Sequence, residues 1–454
     1  MASPHIAVVA FPFSSHGPKL LALARALAAA APSATFSFLI SSCHDSVASL
    51  HGTVPPANLK LVEVPCPGWD KDTPAWQRIE LFLDAAESGG LTQALDAAAS
   101  NAGGQKVTCV VGDAFMSMAA AAGIPWVAVW TGGPCALLAH IHGDAIRRDL
   151  GKDAATRGDE FLTSYPGLGC FRVRDLPWGD PDIHGDIFRV MDLLLRRVAE
   201  RLPRAATATA LNFFPGLFPQ DVPAALADAI PNRSLLPIGP FHHLIPAATA
   251  VHDKHGCLAW LDRHPPTGTV AYVSFGTAVV LPPDELRELA LGLQDAGAPF
   301  LWSLREESWP LLPPGFLDRA KGSRMVVPWT PQAAVLRHPA VGAFVTHAGW
   351  GAVVEAMSGG VPMLCRPFFG DQMMNARSVE CMWGFGRAIA DGDAPLTRGA
   401  VAAAVASLLT GEEASPIRAR ARGMQAMVVR AFEPDGGSTI NFRKLVDIIS
   451  AAHV

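Results

Sequence analysis

The sequence predicts an α/β protein with two parallel sheets, each flanked by helices. Two observations support this fold class. Short runs rich in β-branched and aromatic residues alternate with helix-length segments along almost all of the 454 residues, as expected of doubly wound sheets. The alternation pauses once, in a stretch rich in Pro, Gly and His at residues 237–256, and then restarts. Such a pause favours a boundary between two domains.

The first half predicts one doubly wound sheet. Its strands are short apolar runs, since strands of a parallel sheet are covered on both faces. The expected strands are residues 5–11, 35–40, 59–64, 107–111 and 126–129. The expected helices are residues 18–30, 76–100, 114–122 and 135–149.

The second half repeats the pattern after a helical restart at 257–263. The expected strands are residues 269–275, 300–303, 324–327, 342–346, 361–364 and 386–389, and helices are expected at 398–409, 416–431 and 439–451. We therefore divide the chain into an N-terminal domain (1–245), a linker (246–256), a C-terminal domain (257–435) and a final helical segment (436–454) that packs back on the N-terminal domain. Ligands of such sheets bind beyond the carboxyl ends of strands, so two facing sheets form a cleft for two substrates.

Composition limits the partners. Half of the residues are hydrophobic, 17% are charged and the net charge is −5, which argues against disorder and against nucleic-acid binding. The apolar run at 5–11 is too short for a signal sequence or a membrane span. The eight cysteines contain no CxxC pair, which favours reduced thiols. We expect a cytoplasmic protein that acts on small molecules and does not insert into membranes.

The sequence contains no clear motif for a catalytic metal site or for a phosphate-binding loop. The GxxxxGK[ST] and HExxH patterns are absent from the sequence. Three pairs of aspartates have a spacing that can hold a divalent metal: Asp70 and Asp72, Asp180 and Asp182, Asp391 and Asp393. All three pairs lie among turn-forming residues, where aspartate is common for conformational reasons. No metal or other cofactor is therefore expected.

The most informative segment is residues 329–372. An apolar strand ends at Thr346, and the chain turns through His347 into a helix near 350–358. Free N–H groups and the positive end of the helix dipole would then face the cleft, which makes this turn an anion site. Thr277, at the end of the predicted strand 269–275, adds a possible donor.

These 44 residues resemble the signature box of the plant UDP-sugar-dependent glycosyltransferases. The matching positions are Trp329, Pro331, Gln332, Leu336, His338, Thr346, His347, Gly349, Trp350, Glu355, Gly360, Val361, Pro362, Pro367, Asp371 and Gln372. The resemblance implies a GT-B fold, with two Rossmann-like domains facing across a cleft. The segments 10–16, 130–134 and 366–372 are most similar to flavonoid 3-O-glucosyltransferases.

The resemblance also implies roles for the residues of the box. Trp329 and Gln332 would hold the uracil, Glu355 the ribose, and His347 the diphosphate of UDP-glucose, which is a co-substrate. Asp371 and Gln372 would hold the sugar, with Trp350 closing the pocket and Ser15 reaching the donor. The acceptor pocket would be lined by Phe115, Thr131, His140 and Phe368.

The predicted catalytic pair is His16 and Asp113. Each follows an apolar strand, at the carboxyl end where the cleft is expected. Transfer to a phenol needs a base for the hydroxyl, and a carboxylate on the other ring nitrogen would fix the tautomer of that base. Both positions match the catalytic His and its partner Asp in the family.

The implied reaction is inverting transfer of glucose from UDP-glucose to a hydroxyl of a flavonol or anthocyanidin. Two departures from the family pattern keep alternatives open. The family's Trp-Asn-Ser is here Trp350-Gly351-Ala352, which lacks an amide and a hydroxyl, and the segment 69–78 is atypical. The alternatives are another UDP-sugar, another phenolic acceptor, a non-catalytic nucleotide-sugar-binding protein, or an epimerase.

Overall fold

Two parallel sheets organise the chain, as the alternating pattern predicts. The structure is a computed structural model that describes residues 3–13, 16–41, 56–65, 68–70, 72–178, 185–231, 234–244, 253–276, 281–317, 322–390, 394–411 and 414–451. Both sheets are flanked by helices on their two faces, so the predicted α/β class is confirmed.

The N-terminal sheet has seven parallel strands in the described part of the chain, in the order β3-β2-β1-β4-β5-β6-β7. They are β1 (His5–Val9), β2 (Thr35–Ser41), β3 (Leu59–Val64), β4 (Cys109–Asp113), β5 (Trp126–Trp130), β6 (Ala208–Leu211) and β7 (Ser234–Pro237). All side chains of β1, β4 and β5 are buried, because helices cover both faces. The order reverses between β1 and β4, so ligands are expected at their carboxyl ends.

The helices of this domain pack on both faces of the sheet. They are α1 (His16–Ala30), α2 (Ala75–Ala85), α3 (Leu91–Asn101), α4 (Pro134–Ile141), α5 (Gly143–Leu150), α6 (Asp186–Ala205) and α7 (Asp221–Ala229). Leu20, Leu23 and Leu27 of α1 are fully buried and join the core that contains Ile6 and Val8 of β1. This packing holds α1 against the sheet.

The C-terminal sheet has six parallel strands among the described residues, in the order β10-β9-β8-β11-β12-β13. They are β8 (Val270–Ser274), β9 (Phe300–Ser303), β10 (Arg324–Val327), β11 (Val341–Thr346), β12 (Met363–Cys365) and β13 (Gly386–Ala388). Its helices are α8 (Cys257–Leu261), α9 (Pro283–Asp295), α10 (Gln332–Leu336), α11 (Trp350–Gly359), α12 (Gln372–Arg377), α13 (Arg398–Thr410) and α14 (Ala414–Ala431). Here the order reverses between β8 and β11.

Four predicted features differ from the structure, and one of them is the helix expected over 135–149, which is formed by the two helices α4 and α5. Strands β6 and β7 were not expected, because runs of four residues are too short to show a period. The helix expected over 76–100 is broken by a π turn at Ala86–Gly90, where Gly89 has a φ of +104°. The helix expected over 114–122 is a 3₁₀ helix, Ala114–Ala121.

The last helix, α15 (Gly437–Ala451), lies against the N-terminal sheet. Ser438 donates a hydrogen bond to the carbonyl of Gly239 (2.8 Å) and Asn441 donates one to that of Pro237 (3.0 Å). Leu445 of α15 belongs to the core of that sheet. In the part of the chain that the structure describes, no helix has the length and apolar character needed to cross a membrane.

Candidate active site

The switch point of the N-terminal sheet brings two predicted residues together. β1 and β4 are direct neighbours, with Val9 opposite Gly112. His16 begins the helix that follows β1, and Asp113 is the last residue of β4. Both side chains therefore lie at the same edge of the sheet.

His16 and Asp113 form a short hydrogen bond of 2.6 Å between Nδ1 and Oδ2. The Asp113 side chain is 1% exposed and that of His16 is 15% exposed. The other carboxylate oxygen accepts from the backbone N–H of Phe115 (2.9 Å), and the Thr131 hydroxyl lies 3.3 Å from His16 Nδ1. A carboxylate acceptor assigns the proton to Nδ1, which leaves Nε2 as the basic nitrogen.

A group of aromatic rings lies on one side of this pair, and we call it the aromatic cluster. Its members are Phe11, Phe13, Trp69, Phe82 and Phe115. The ring of Phe115 lies 4.9 Å from that of His16, measured between centroids, and Phe11 lies 5.6 Å from it. Sequence reasoning identified only Phe115; Phe13, Trp69 and Phe82 come from three different segments and meet only in the fold. The cluster gives the base an apolar wall suited to flat rings.

His140 lies behind this wall. Its ring is 6.3 Å from Trp130 and 6.0 Å from Trp178, between centroids. Burial, and secondarily the charge of Arg147, lowers the pKa of His140 to about 3. The imidazole is therefore neutral at physiological pH and offers one donor and one acceptor.

The structure does not bring Phe368 into the aromatic cluster. Phe368 lies in the C-terminal domain, where its ring packs on Phe275 (6.0 Å between centroids) and under the guanidinium of Arg366 (4.9 Å). Its backbone N–H donates to Gln372. The contacts thus place it with the predicted sugar-binding residues.

The switch point of the C-terminal sheet holds His347, directly after β11. Its imidazole fills the space beside two glycines: a Cβ on Gly276 would lie 2.9 Å from Cε1, and one on Gly349 would lie 2.5 Å from Nε2. Burial lowers the pKa of His347 to about 4, and the charge of Lys19 acts in the same direction. A neutral His347 and the N-terminus of α11 together offer N–H donors to an anion.

Gln332 and Glu355 are joined by a hydrogen bond of 2.7 Å from Nε2 to Oε2. Gln332 Oε1 in turn accepts from the hydroxyl of Tyr272 (3.1 Å), which is also 2.6 Å from Thr330 Oγ1. Burial raises the pKa of Glu355, and the bond from Gln332 opposes this. Trp329 stands beside this network with 48% of its surface exposed, so its face is open to a ligand.

Asp371 and Gln372 lie at the start of α12. Gln372 is buried, and its Oε1 accepts from the backbone N–H of Phe368 (2.9 Å), which leaves its NH₂ group for other partners. Burial raises the pKa of Asp371, while the Asn375 side chain, the charge of Lys19 and the backbone of Gly133 oppose this. Gly133 belongs to the N-terminal domain, and a Cβ on it would lie 3.0 Å from Asn375, so the two domains approach each other here.

Trp350 also joins the domains. Its Nε1 donates to the carbonyl of Asn212 (2.8 Å), and its ring is stacked 6.2 Å from Phe218, between centroids. The side chain is 4% exposed. The structure thus uses this indole in the interdomain contact, whereas the resemblance implies that it closes the sugar pocket.

The comparison with protein families agrees with this geometry. Residues 34–414 match the family model described as UDP-glucoronosyl and UDP-glucosyl transferase. The chain belongs to this family. It is an enzyme of the UDP-glycosyltransferase class, and its two facing sheets are the GT-B fold, so these predictions are confirmed.

Several relatives of this UDP-glycosyltransferase span its whole length. It is 56% identical over 470 residues to an anthocyanidin 3-O-glucosyltransferase of Zea mays, covering 99% of this chain and 98% of the relative. It is 57% identical to one of Hordeum vulgare, covering 98% of both chains. A solved anthocyanidin 3-O-glucosyltransferase in complex with UDP superposes with a TM-score of 0.88 at 32% identity, covering 99% of this chain and 100% of that one.

Some predicted residues of the UDP-glycosyltransferase fall outside the described residues. These are Ser15, Thr277 and the aspartate pairs at 180 and 182 and at 391 and 393. In the described pair, Asp70 Oδ1 accepts from the backbone N–H of Asp72 and from the hydroxyl of Thr73, both at 3.0 Å. That carboxylate stabilises a turn, as its neighbours in the sequence indicate.

Proposed function

We propose that this UDP-glycosyltransferase transfers glucose from UDP-glucose to the 3-hydroxyl of a flavonol or anthocyanidin, with inversion at the anomeric carbon and with His16 as the general base. The observation that carries the proposal is the 2.6 Å bond between His16 and Asp113, at the edge of the N-terminal sheet that faces the donor-site residues. The names of the relatives at 56% and 57% identity support the sugar and the acceptor.

The chemistry follows from the two ring nitrogens of His16. Nε2 takes the proton of the acceptor hydroxyl as its oxygen bonds to the anomeric carbon, and the bond from that carbon to the diphosphate oxygen breaks. UDP leaves with the electron pair of that bond. Asp113 stabilises the imidazolium through Nδ1–H, so the base gains strength during the step.

The donor is held by the C-terminal domain in this proposal. The uracil stacks on the exposed face of Trp329 with Gln332 beside it, and the Glu355 carboxylate accepts from the ribose hydroxyls. The diphosphate lies at His347 and the N-terminus of α11, where N–H donors stabilise the charge of departing UDP. Asp371 and the free NH₂ of Gln372 bind the glucose hydroxyls.

The acceptor lies on the aromatic cluster. The 4.9 Å separation between the rings of Phe115 and His16 puts a flat phenol on Phe115 within reach of the base. Thr131 lies beside His16 Nδ1 and lines the same pocket. We place the acceptor there because its polyphenol rings are flat and apolar while its reacting hydroxyl is polar.

We further propose that transfer needs no metal ion, because N–H donors of His347 and α11 act on the diphosphate. Turnover should therefore be the same with a chelator as with added Mg²⁺. Loss of turnover in the chelator, with recovery on adding Mg²⁺, would contradict this part of the proposal.

The test is an endpoint assay of the purified protein with UDP-glucose, UDP-galactose and UDP-rhamnose, each against quercetin, cyanidin, an isoflavone and a simple phenol. Mass analysis should find a monohexoside of quercetin or cyanidin with UDP-glucose, and proton NMR should show a β linkage. Free UDP without an acceptor product, or an α linkage, would refute the proposal.

His16→Ala tests the base. It should remove nearly all turnover while UDP-glucose binding, measured by calorimetry, survives. His338→Ala is the matched control, because His338 also pairs with a carboxylate, at 3.1 Å from Asp262, but precedes β11 at the opposite edge of its sheet. Equal loss of turnover in both variants would argue against His16 as the base.

A second candidate is the same chemistry with another UDP-sugar. The observation that favours it is Gly351-Ala352, which supplies neither an amide nor a hydroxyl to the donor. If UDP-rhamnose or UDP-galactose gave the product in the assay above and UDP-glucose did not, this candidate would replace the first.

A further inference from the structure

Lys19 brings a positive charge into the donor site from the opposite domain. It lies in the first turn of α1, three residues after His16, so the two side chains project from the same face of the helix. Its side chain reaches Gly351 in α11: a Cβ on Gly351 would lie 3.5 Å from both Cε and Nζ of Lys19. The ammonium therefore lies beside the N-terminal turn of α11.

Several residues of the predicted donor and catalytic sites interact electrostatically with the Lys19 ammonium. Burial lowers the pKa of Lys19, and the carboxylates of Glu355, Asp371 and Asp113 oppose this. Lys19 in turn lowers the pKa of His347. These four residues are the predicted contacts of ribose, sugar, base and diphosphate, so the ammonium lies within electrostatic range of all four sites.

Gly351 makes this position accessible. The ordinary contact of 3.5 Å leaves room for a Cβ, but a longer side chain at 351 would extend into the space that the ammonium occupies. Position 351 of α11 therefore supplies no side-chain donor, and the ammonium of Lys19 in α1 supplies a cationic donor at the same position.

We propose that Lys19 binds the diphosphate of the UDP-sugar, donating from Nζ to its oxygens in the place left by Gly351 and Ala352. The inference rests on the proposed function for the position of the donor. Together with His347 and the N-terminus of α11, Lys19 then stabilises the negative charge that develops on UDP as the sugar leaves. A diphosphate beside three carboxylates needs such a cation, because like charges repel strongly where water is scarce.

The test is calorimetric binding of UDP and of uridine to the whole protein and to Lys19→Met, without any acceptor. A lysine–phosphate contact is a charge-assisted one, so UDP affinity should fall about 10- to 100-fold. Uridine affinity should stay the same, because uridine has no phosphate. Lys60→Met is the matched control: Lys60 donates to the carbonyl of Asn101 and should leave both affinities unchanged.

Two results would overturn the inference. Unchanged UDP affinity in Lys19→Met would mean that the ammonium serves only as a counter-ion to the carboxylates. Equal losses of UDP and uridine affinity, in both Lys19→Met and Lys19→Gln, would mean that it only maintains the fold.

Because no turnover is measured, these results are separate from those of the proposed function. Lys19-dependent UDP binding without transfer would refute the function alone. Transfer by a protein whose UDP affinity is independent of Lys19 would refute this inference alone.

Discussion

Asp113→Asn tests the role of the Asp113 carboxylate. The carboxylate could act on His16 through its negative charge and by fixing the tautomer, or it could only fill space beside the ring. Asn has nearly the same size and can still accept from the N–H of Phe115, so the turn after β4 should persist. Its NH₂ group would face His16 Nδ1, however, and a donor there favours the tautomer with the proton on Nε2. That tautomer has no lone pair toward the acceptor hydroxyl.

The magnitude follows from the contact that is lost. A buried charge-assisted hydrogen bond such as the 2.6 Å pair is worth about 1.5–3 kcal/mol. A change of about 1.36 kcal/mol in activation free energy changes the rate tenfold. Loss of the charge should therefore lower kcat about 10- to 150-fold. The wrong tautomer adds to this, so we expect a loss of at least about 100-fold.

The assay is steady-state turnover of UDP-glucose with saturating quercetin, beside calorimetric UDP binding. UDP affinity should change far less than kcat, because the Asp113 carboxylate bonds to His16 and to the backbone of Phe115 and not to a group proposed to hold UDP. Asp262→Asn is the control, since Asp262 pairs with His338 away from the cleft and should leave kcat within about twofold of the original. A kcat for Asp113→Asn within threefold of the wild-type value would refute the assigned role of the carboxylate.

Three further predictions concern the donor site and the domain contact. Trp329→Ala should weaken UDP binding about 5- to 150-fold by calorimetry, since stacking of a base is worth about 1–3 kcal/mol; unchanged affinity would place the uracil elsewhere. Gly349→Ala should lower UDP affinity far more than Gly351→Ala, because only the first Cβ, at 2.5 Å from His347, must displace the imidazole; equal effects would count against His347. His242 Nε2 lies 3.0 Å from the hydroxyl of Ser358 in the C-terminal domain, and burial lowers the pKa of His242 to about 3. The contribution of this neutral imidazole to stability is therefore complete above pH 6.5 and is lost as the pH falls. In urea unfolding, the stability of the wild type relative to His242→Gln should fall by about 1 kcal/mol per unit between pH 6.5 and 4, and a constant difference would contradict this.

The sequence predicts those parts of the site that depend on one strand and the turn after it. His16 and Asp113 could be paired because each follows an apolar strand, and the carboxyl ends of parallel strands share an edge. The residues from Trp329 to Gln372 could be assigned because their spacing matches a family box.

What could not be predicted depends on contacts between distant segments. Trp69 and Phe82 reach the aromatic cluster through packing that leaves no local pattern. The indole of Trp350 meets Asn212 in the other domain, which no spacing in the box indicates. In the sequence, Lys19 is one polar residue within a predicted helix, and only the fold brings it to Gly351.

The loop after β5 lies between the proposed base and the proposed sugar-binding residues. Thr131 lies 3.3 Å from Nδ1 of His16, and two residues later the backbone of Gly133 lowers the pKa of Asp371. A Cβ on Gly133 would lie 3.0 Å from Trp350 and from Asn375, so the two domains approach closely at this glycine. The same short loop therefore contacts both the proposed base and the proposed sugar site. This loop is therefore one of the contacts, with that between Trp350 and Asn212, that hold His16 and the proposed sugar site at a fixed distance.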